Sequence, residues 1–250
     1  MENNKIVQKR RIKMDSNRKT AIIVGVLFII ATAAPIISLV PLSVVPLGFL
    51  GSIGDPDYLT AVSANENQVL IGVLLWLTMT ASIVMIPIMM FPILKEHGES
   101  LALGYVGARI FEGFFDAVNV IALLSLLSLS REFVNAGAPA ASYFQTSGAL
   151  LLAVIGWGSV LIDFPFCLSA LALNYVLYQS KLIPRFISVL GLIGGALVLA
   201  TAPVHLFGLS PPSIEILALP IAAQEMILAV WLIVKGFNPS AIVSESAKTM

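Results

Sequence analysis

TAIIVGVLFIIATAAPIISLV, residues 20–40, contains no ionisable side chain. An α-helix needs roughly 20 apolar residues to cross a hydrocarbon core about 30 Å thick, and an uncharged run of that length has few other homes. Five more windows read the same way: Gln68–Leu94, Leu101–Ser128, Ser147–Leu177, Phe186–Phe207 and Ile214–Val234. Composition agrees, because 58% of the chain is hydrophobic and only 11% is charged, against about a quarter charged in an ordinary soluble domain. The expected fold is all-α: one integral membrane bundle of six transmembrane helices over residues 20–236, arranged as three outward-pointing hairpins. Residues 1–19 read as a basic tail and 237–250 as a second tail. The apolar stretch 41–50 is short and carries Pro41 and Pro46, so it is expected to continue the first helix along or into the interface rather than to span.

Lys and Arg set the expected orientation, since cytoplasmic loops retain positive charge while Asp and Glu count for little. Lys5, Lys9, Arg10, Arg11, Lys13, Arg18 and Lys19 precede the first window, and Lys95, Lys181, Arg185, Lys235 and Lys248 fall on the same side. The other side has Arg131 alone, beside Asp55, Asp57 and Glu66. Both termini are therefore expected in the cytoplasm, with the chain multi-pass in the cell membrane. Ala31-Thr32-Ala33 has the small-x-small pattern of a signal-peptide cleavage site, yet the apolar run continues through it to Val40, past the usual h-region length. Met14, followed by Asp15 to Lys19, reads as a second possible start.

Net charge is zero and there is a single cysteine, Cys167, inside the fourth window, so no intramolecular disulfide is possible. The chain shows no His-Glu-x-x-His, Gly-x-Ser-x-Gly or Gly-Lys-Ser/Thr signature and only two histidines. No catalytic residue, metal site or cofactor is expected, and an enzyme is the weaker class. The bilayer is the implied partner and nothing points to nucleic acid; no protein partner can be read from the residues.

Five residues are expensive where they sit: Arg109, Glu112, Asp116, Asp163 and Glu225. Each Arg or Asp at the centre of a membrane helix costs roughly 2.5 to 3.5 kcal/mol on the insertion scale, so such residues face a bundle interior and often mark a pathway. On the third window Tyr105, Arg109, Glu112, Asp116 and Asn119 step by three and four, which places them on one helical face. The same stepping gathers Gly156, Ser159, Asp163, Cys167, Ala170 and Asn174 on the fourth window, and Ala218, Ala222, Glu225 and Ala229 on the sixth, with Gln224 beside them. The three stripes are expected to face one another, with Tyr105, Asn119, Asn174 and Gln224 in support. Four carboxylates against one arginine cannot all remain ionised at close range in a low dielectric. The excess must be protonated, hydrated or matched by a cation.

Two functional classes follow. In the first the cluster lines a hydrated cavity and binds a proton, cation or small solute, as in a small proton/ion-coupled carrier; Pro35, Pro87, Pro92 and Pro220 would then free backbone carbonyls beside it. In the second the cluster is an internal staple of a non-catalytic membrane scaffold or sensor. A third, lipid-modifying enzyme near the inner face would depend on Glu96 or His97. Gly191 and Gly195 form a small-xxx-small pair suited to helix packing.

Five segments also resemble a known family: residues 16–21 (SNRKTA), 55–60 (DPDYLT), 102–107 (ALGYVG) with Arg109 and Glu112, 182–185 (LIPR) and 224–226 (QEM). The family is the prokaryotic multi-pass membrane proteins defined by domain of unknown function 4386, and the resemblance covers residues 16–242. It implies a multi-pass membrane protein and supplies no activity, substrate or site residue.

Overall fold

The computed structural model describes residues 2–44, 57–136, 141–209 and 212–246, and every regular element among them is helical. The elements are α1 (Glu2–Ser38), α2 (Tyr58–Ala64), α3 (Glu66–Ala136), α4 (Ala141–Ser180), α5 (Arg185–Leu206), α6 (Leu219–Val234) and α7 (Pro239–Ser246). Five of these are long and apolar enough to span a bilayer: α1 from Asp15, α3, α4, α5, and α6 with the turn before it from Ile216. Only 28% to 39% of each apolar window is buried within the protein. Exposed Ile36, Leu74, Ile121, Leu150 and Phe186 would form an aggregating surface in water, and lipid is the solvent that satisfies them. The chain is an all-α integral membrane protein.

The second and third windows are both contained in α3, whose 71 residues break from helical geometry inside the element only at Gly98. The link expected at Lys95–Ser100 is thus reduced to one residue. Trp76 bonds to Asp116 and Glu66 pairs with Arg131. The partner number rises as the first number falls, so the two halves run antiparallel and form a hairpin.

Other expectations are modified locally. Helix α1 begins at Glu2, within the expected tail. The predicted loop between the first two windows contains α2. Of the stretch 41–50, residues 41–44 form a 3-10 turn and residues 45–50 lie outside the described residues. Pro35, Pro87 and Pro92 are inside helices, whereas Pro220 occupies the first turn of α6. Its missing N–H would have no intrahelical acceptor there, so it starts the helix instead of kinking it.

The chain divides into two compact units. The first comprises Met1–Ile30, Ser82–Ile110 and Phe164–Met250, and the second comprises Ala31–Ala81 and Phe111–Asp163.

In the first unit small residues set the helix contacts. A Cβ on Gly25 would come 2.7 Å from the carbonyl oxygen of Ala229, and one on Gly194 would come 2.6 Å from the backbone nitrogen of Ile221. Gly191 lies against the amide of Asn174, and Gly195 against Leu171 and Ala170, so the small-xxx-small pair on α5 does pack, against α4. The tighter contact with α6 belongs to Gly194. Arg18 on α1 donates to the carbonyls of Leu232, Ile233 and Val234 at 2.9, 2.6 and 3.3 Å. These are carbonyls that the end of a helix leaves without intrahelical partners, and a cation there also opposes the dipole.

In the second unit Tyr58, Leu59 and Val62 of α2 join Val69, Val73, Leu123, Leu126 and Leu127 of α3 and Phe144, Leu152 and Ile155 of α4 in one apolar cluster. Leu42 packs on Gly72, and the Tyr58 hydroxyl sits over Gly148. Burial pushes the Tyr58 phenol above its ordinary pKa by disfavouring the charged form.

Candidate functional site

Arg109 is the only Lys or Arg predicted inside a span, and its surroundings are specific. On α3 of the first unit it is 3% exposed. Its Nη2 donates to Oε1 of Glu225 on α6 at 3.2 Å, and the two side chains are 4% and 18% exposed. The guanidinium carbon lies 5.2 Å from the ring centre of Phe166 on α4 and 5.9 Å from that of Tyr105 one turn earlier on α3. Aromatic faces carry negative charge density and attract the cation, by roughly 0.5 to 2 kcal/mol each as water is excluded. Three helices therefore meet at this one cation, and its carboxylate partner is the more accessible of the two.

Next to Glu225 in sequence, Gln224 donates from Nε2 to Oδ1 of Asn174 at 3.1 Å, and Asn174 donates from Nδ2 to the carbonyl of Ala170 at 2.9 Å. Both amides are about 1% exposed. Amides in an apolar interior need partners to offset their desolvation. This α4–α6 link supplies them beside the ion pair's own α6 residue.

Glu112, Asp116 and Asn119 are buried in the second unit. Asp116 accepts at Oδ1 from the indole Nε1–H of Trp76 at 2.9 Å, which ties together the two halves of α3. Asn119 reaches Ser159 of α4 with its Nδ2 at 3.5 Å, and its Oδ1 faces Gly158. Asp163 is half-buried in the same unit. The helical stripe expected on the third window is thus buried along its length, while its members belong to two units: Tyr105 and Arg109 to the first, and Glu112, Asp116 and Asn119 to the second.

Trp76, Phe166 and Arg18 were not among the expected site residues. Trp76 carried a usable signal, because an indole N–H in mid-span must find an acceptor and lipid offers none. Replacing it with Phe removes the donor to a buried carboxylate together with the five-membered ring of the indole. Trp76→Phe is expected to lose about 1–2 kcal/mol of stability, read as a lower midpoint in denaturing detergent. An unchanged midpoint would show that the bond contributes nothing net.

Among the described residues, no group of three or more His, Cys, Asp or Glu is placed to hold a metal ion. A family model described as domain of unknown function (DUF4386) matches residues 23–236. No curated protein and no solved structure matches the chain.

Proposed function

We propose that this chain, which belongs to the DUF4386 family, is a small proton- or ion-coupled carrier whose working pair is Arg109 and Glu225. The observation that carries the reading is the asymmetry of that pair. Arg109 is enclosed by Phe166, Tyr105 and its carboxylate partner, while Glu225 keeps 18% of its side chain accessible. An enclosed cation beside an accessible carboxylate makes an exchangeable site. A small anion that takes the place of Glu225 on the guanidinium leaves that carboxylate to accept a proton or a cation, and the net charge of the site is then unchanged. Low-dielectric surroundings couple the two events, since neither charge is tolerated alone. In this reading both termini face the cytoplasm, where the basic residues of the chain ends collect.

The buried Gln224–Asn174 and Trp76–Asp116 bonds favour a second reading, in which the polar residues only hold helices together in a scaffold or sensor. The two readings separate in the thermal stability of purified protein against pH and a panel of ions and small anions, for wild type and Glu225→Gln. A ligand that binds only the folded state must raise its stability, by about 2.7 kcal/mol at a hundredfold excess over Kd. A carrier is expected to show a ligand- or pH-dependent rise that disappears in Glu225→Gln, followed by flux of that ligand in liposomes. A flat wild-type response with a large baseline loss in Glu225→Gln would sink the carrier reading and leave the staple.

A further inference from the structure

A cleft of about 540 Å³ in the first unit lies where three spans end together. Helix α4 stops at Ser180, α5 starts at Arg185 and α6 stops at Val234, so the connecting residues sit at the edge of the hydrocarbon layer. Both helices that end here do so through a left-handed residue, Lys181 (φ 56°) after α4 and Gly236 (φ 74°) after α6. At Gly236 this closes the helix in the usual way, with the N–H groups of Lys235 and Gly236 both donating to the carbonyl of Trp231.

The cleft is lined by three cations, Lys181, Arg185 and Lys235, and by no acidic residue. Several of its potential acceptors are already engaged. The N–H of Asn238 donates to the carbonyl of Leu182 at 2.8 Å and its Nδ2 to that of Lys181 at 3.3 Å. Arg18 takes the last carbonyls of α6, which would otherwise present a negative helix end. Arg185 is held in place by its ring contact with Tyr178 at 4.7 Å and by donation from Nε to the Tyr178 carbonyl at 3.4 Å. The side chains that line the cleft thus carry net positive charge, and Asp15 lines the adjoining cleft, which shares Lys235 and Phe237 with it. The remaining walls are apolar, with Leu182, Ile183 and Phe237 buried and Trp231 half-buried.

From this we infer that the cleft binds the head group of an anionic phospholipid, with the phosphate between Lys181, Arg185 and Lys235 and the start of an acyl chain against Trp231 and Phe237. Basic pockets between membrane helices suit such head groups, and guanidinium is the side chain best matched to phosphate oxygens. The position at the ends of three spans favours a lipid over a dissolved anion, because a lipid phosphate is already at that depth. A Trp at the same level fits the interfacial belt. The inference is independent of whether Arg109 and Glu225 carry a solute.

The test uses the full chain in neutral detergent. Its thermal midpoint is followed with added phosphatidylglycerol, phosphatidylcholine or inorganic phosphate, and bound lipid is counted by native mass spectrometry. Phosphatidylglycerol is expected to raise the midpoint and remain bound where phosphatidylcholine does neither. In Lys181→Gln/Lys235→Gln its apparent affinity should fall on the order of 10-fold or more. Lys19→Gln/Lys95→Gln, which removes the same charge from other exposed positions, should retain the wild-type affinity. Should the cleft variant fail to fold, wild type still decides: the phosphatidylglycerol effect must shrink as salt is raised to about 1 M. Equal effects of the two lipids, equal losses in the two double variants, salt-insensitive binding, or an equal shift from inorganic phosphate alone would each overturn the inference.

Discussion

Arg109→Leu is expected to lower the stability of the folded protein by about 3–5 kcal/mol, because it strands a largely buried carboxylate whose partner has gone. The change also removes the cation from between Phe166 and Tyr105, so the rings lose an electrostatic contact as well as a packing one. Glu225→Leu is expected to be similarly harmful, since it leaves the guanidinium, 4% exposed, without the carboxylate 3.2 Å away. The double variant should recover the part of the loss that belongs to this pair. Desolvating both charges in the native pair offsets much of their attraction, and replacing such pairs with apolar residues is often neutral or better. Unfolding in mixed micelles with increasing denaturing detergent measures all four proteins. If the two single losses simply add in the double variant, the pair has no energetic coupling and Arg109 and Glu225 do not form a site. A double variant that is stable yet shows no ligand-dependent stabilisation would be the most informative outcome. It would separate the pair's role in function from its role in holding α3 against α6.

Gly194→Val is expected to cost about 3 kcal/mol or more, and Gly194→Ala about 1–3 kcal/mol. The reason is the identity of the obstructing atoms. The added Cβ would meet the backbone nitrogen of Ile221 at 2.6 Å and its Cα at 2.8 Å, and a backbone inside a helix cannot rotate aside as a side chain can. The two helices must separate, which loosens the α5–α6 seam along its length. At Gly104 and Gly107 on α3 an added Cβ meets nothing within 4 Å. There Ala should be neutral or stabilising by up to about 1 kcal/mol, through its better helix propensity. The same detergent titration reads both sets. Equal behaviour of Gly194→Ala and Gly107→Ala would mean that α5 and α6 do not approach as closely as this contact requires.

The expectations that succeeded and those that fell short differ in kind. The spans from α1 to α6 were legible because hydropathy is a local, nearly additive property, and a window of 20 residues averages over mistakes at single positions. Burial of Arg109, Glu112, Asp116 and Asn119 was legible because a helix places residues three and four apart on one face whatever surrounds it. Less legible were the places where a local rule underdetermines the outcome. The link Lys95–Ser100 is polar enough to be a loop, yet it stays helical except at Gly98. The segment from Tyr58 to Ala64 has too few residues for a clear period, and it becomes a helix by burying Tyr58, Leu59 and Val62 in the apolar cluster. Pro220 looks like a kink until the helix start is known.

The sequence by itself determined the solvent, the helical class, the approximate spans and the faces that must be hidden, because each follows from transfer free energies summed along one segment. It also determined that Arg109 needed a carboxylate. That Glu225 meets it was decided only by tertiary structure. The ion pair with Glu225 joins α3 to α6 across 116 positions of chain. That pairing depends on the rotation and axial offset of α6 against α3, set in turn by Gly194 under Ile221 and Gly25 under Ala229, and on the rings of Phe166 and Tyr105 that fix where the guanidinium can lie. The same holds for Trp76 with Asp116, and for Arg18, which reads in sequence as a topogenic charge and in the fold completes the end of α6. Helix-to-helix register comes from side-chain shape at contacts far apart in the chain, and no sum over a single segment contains it.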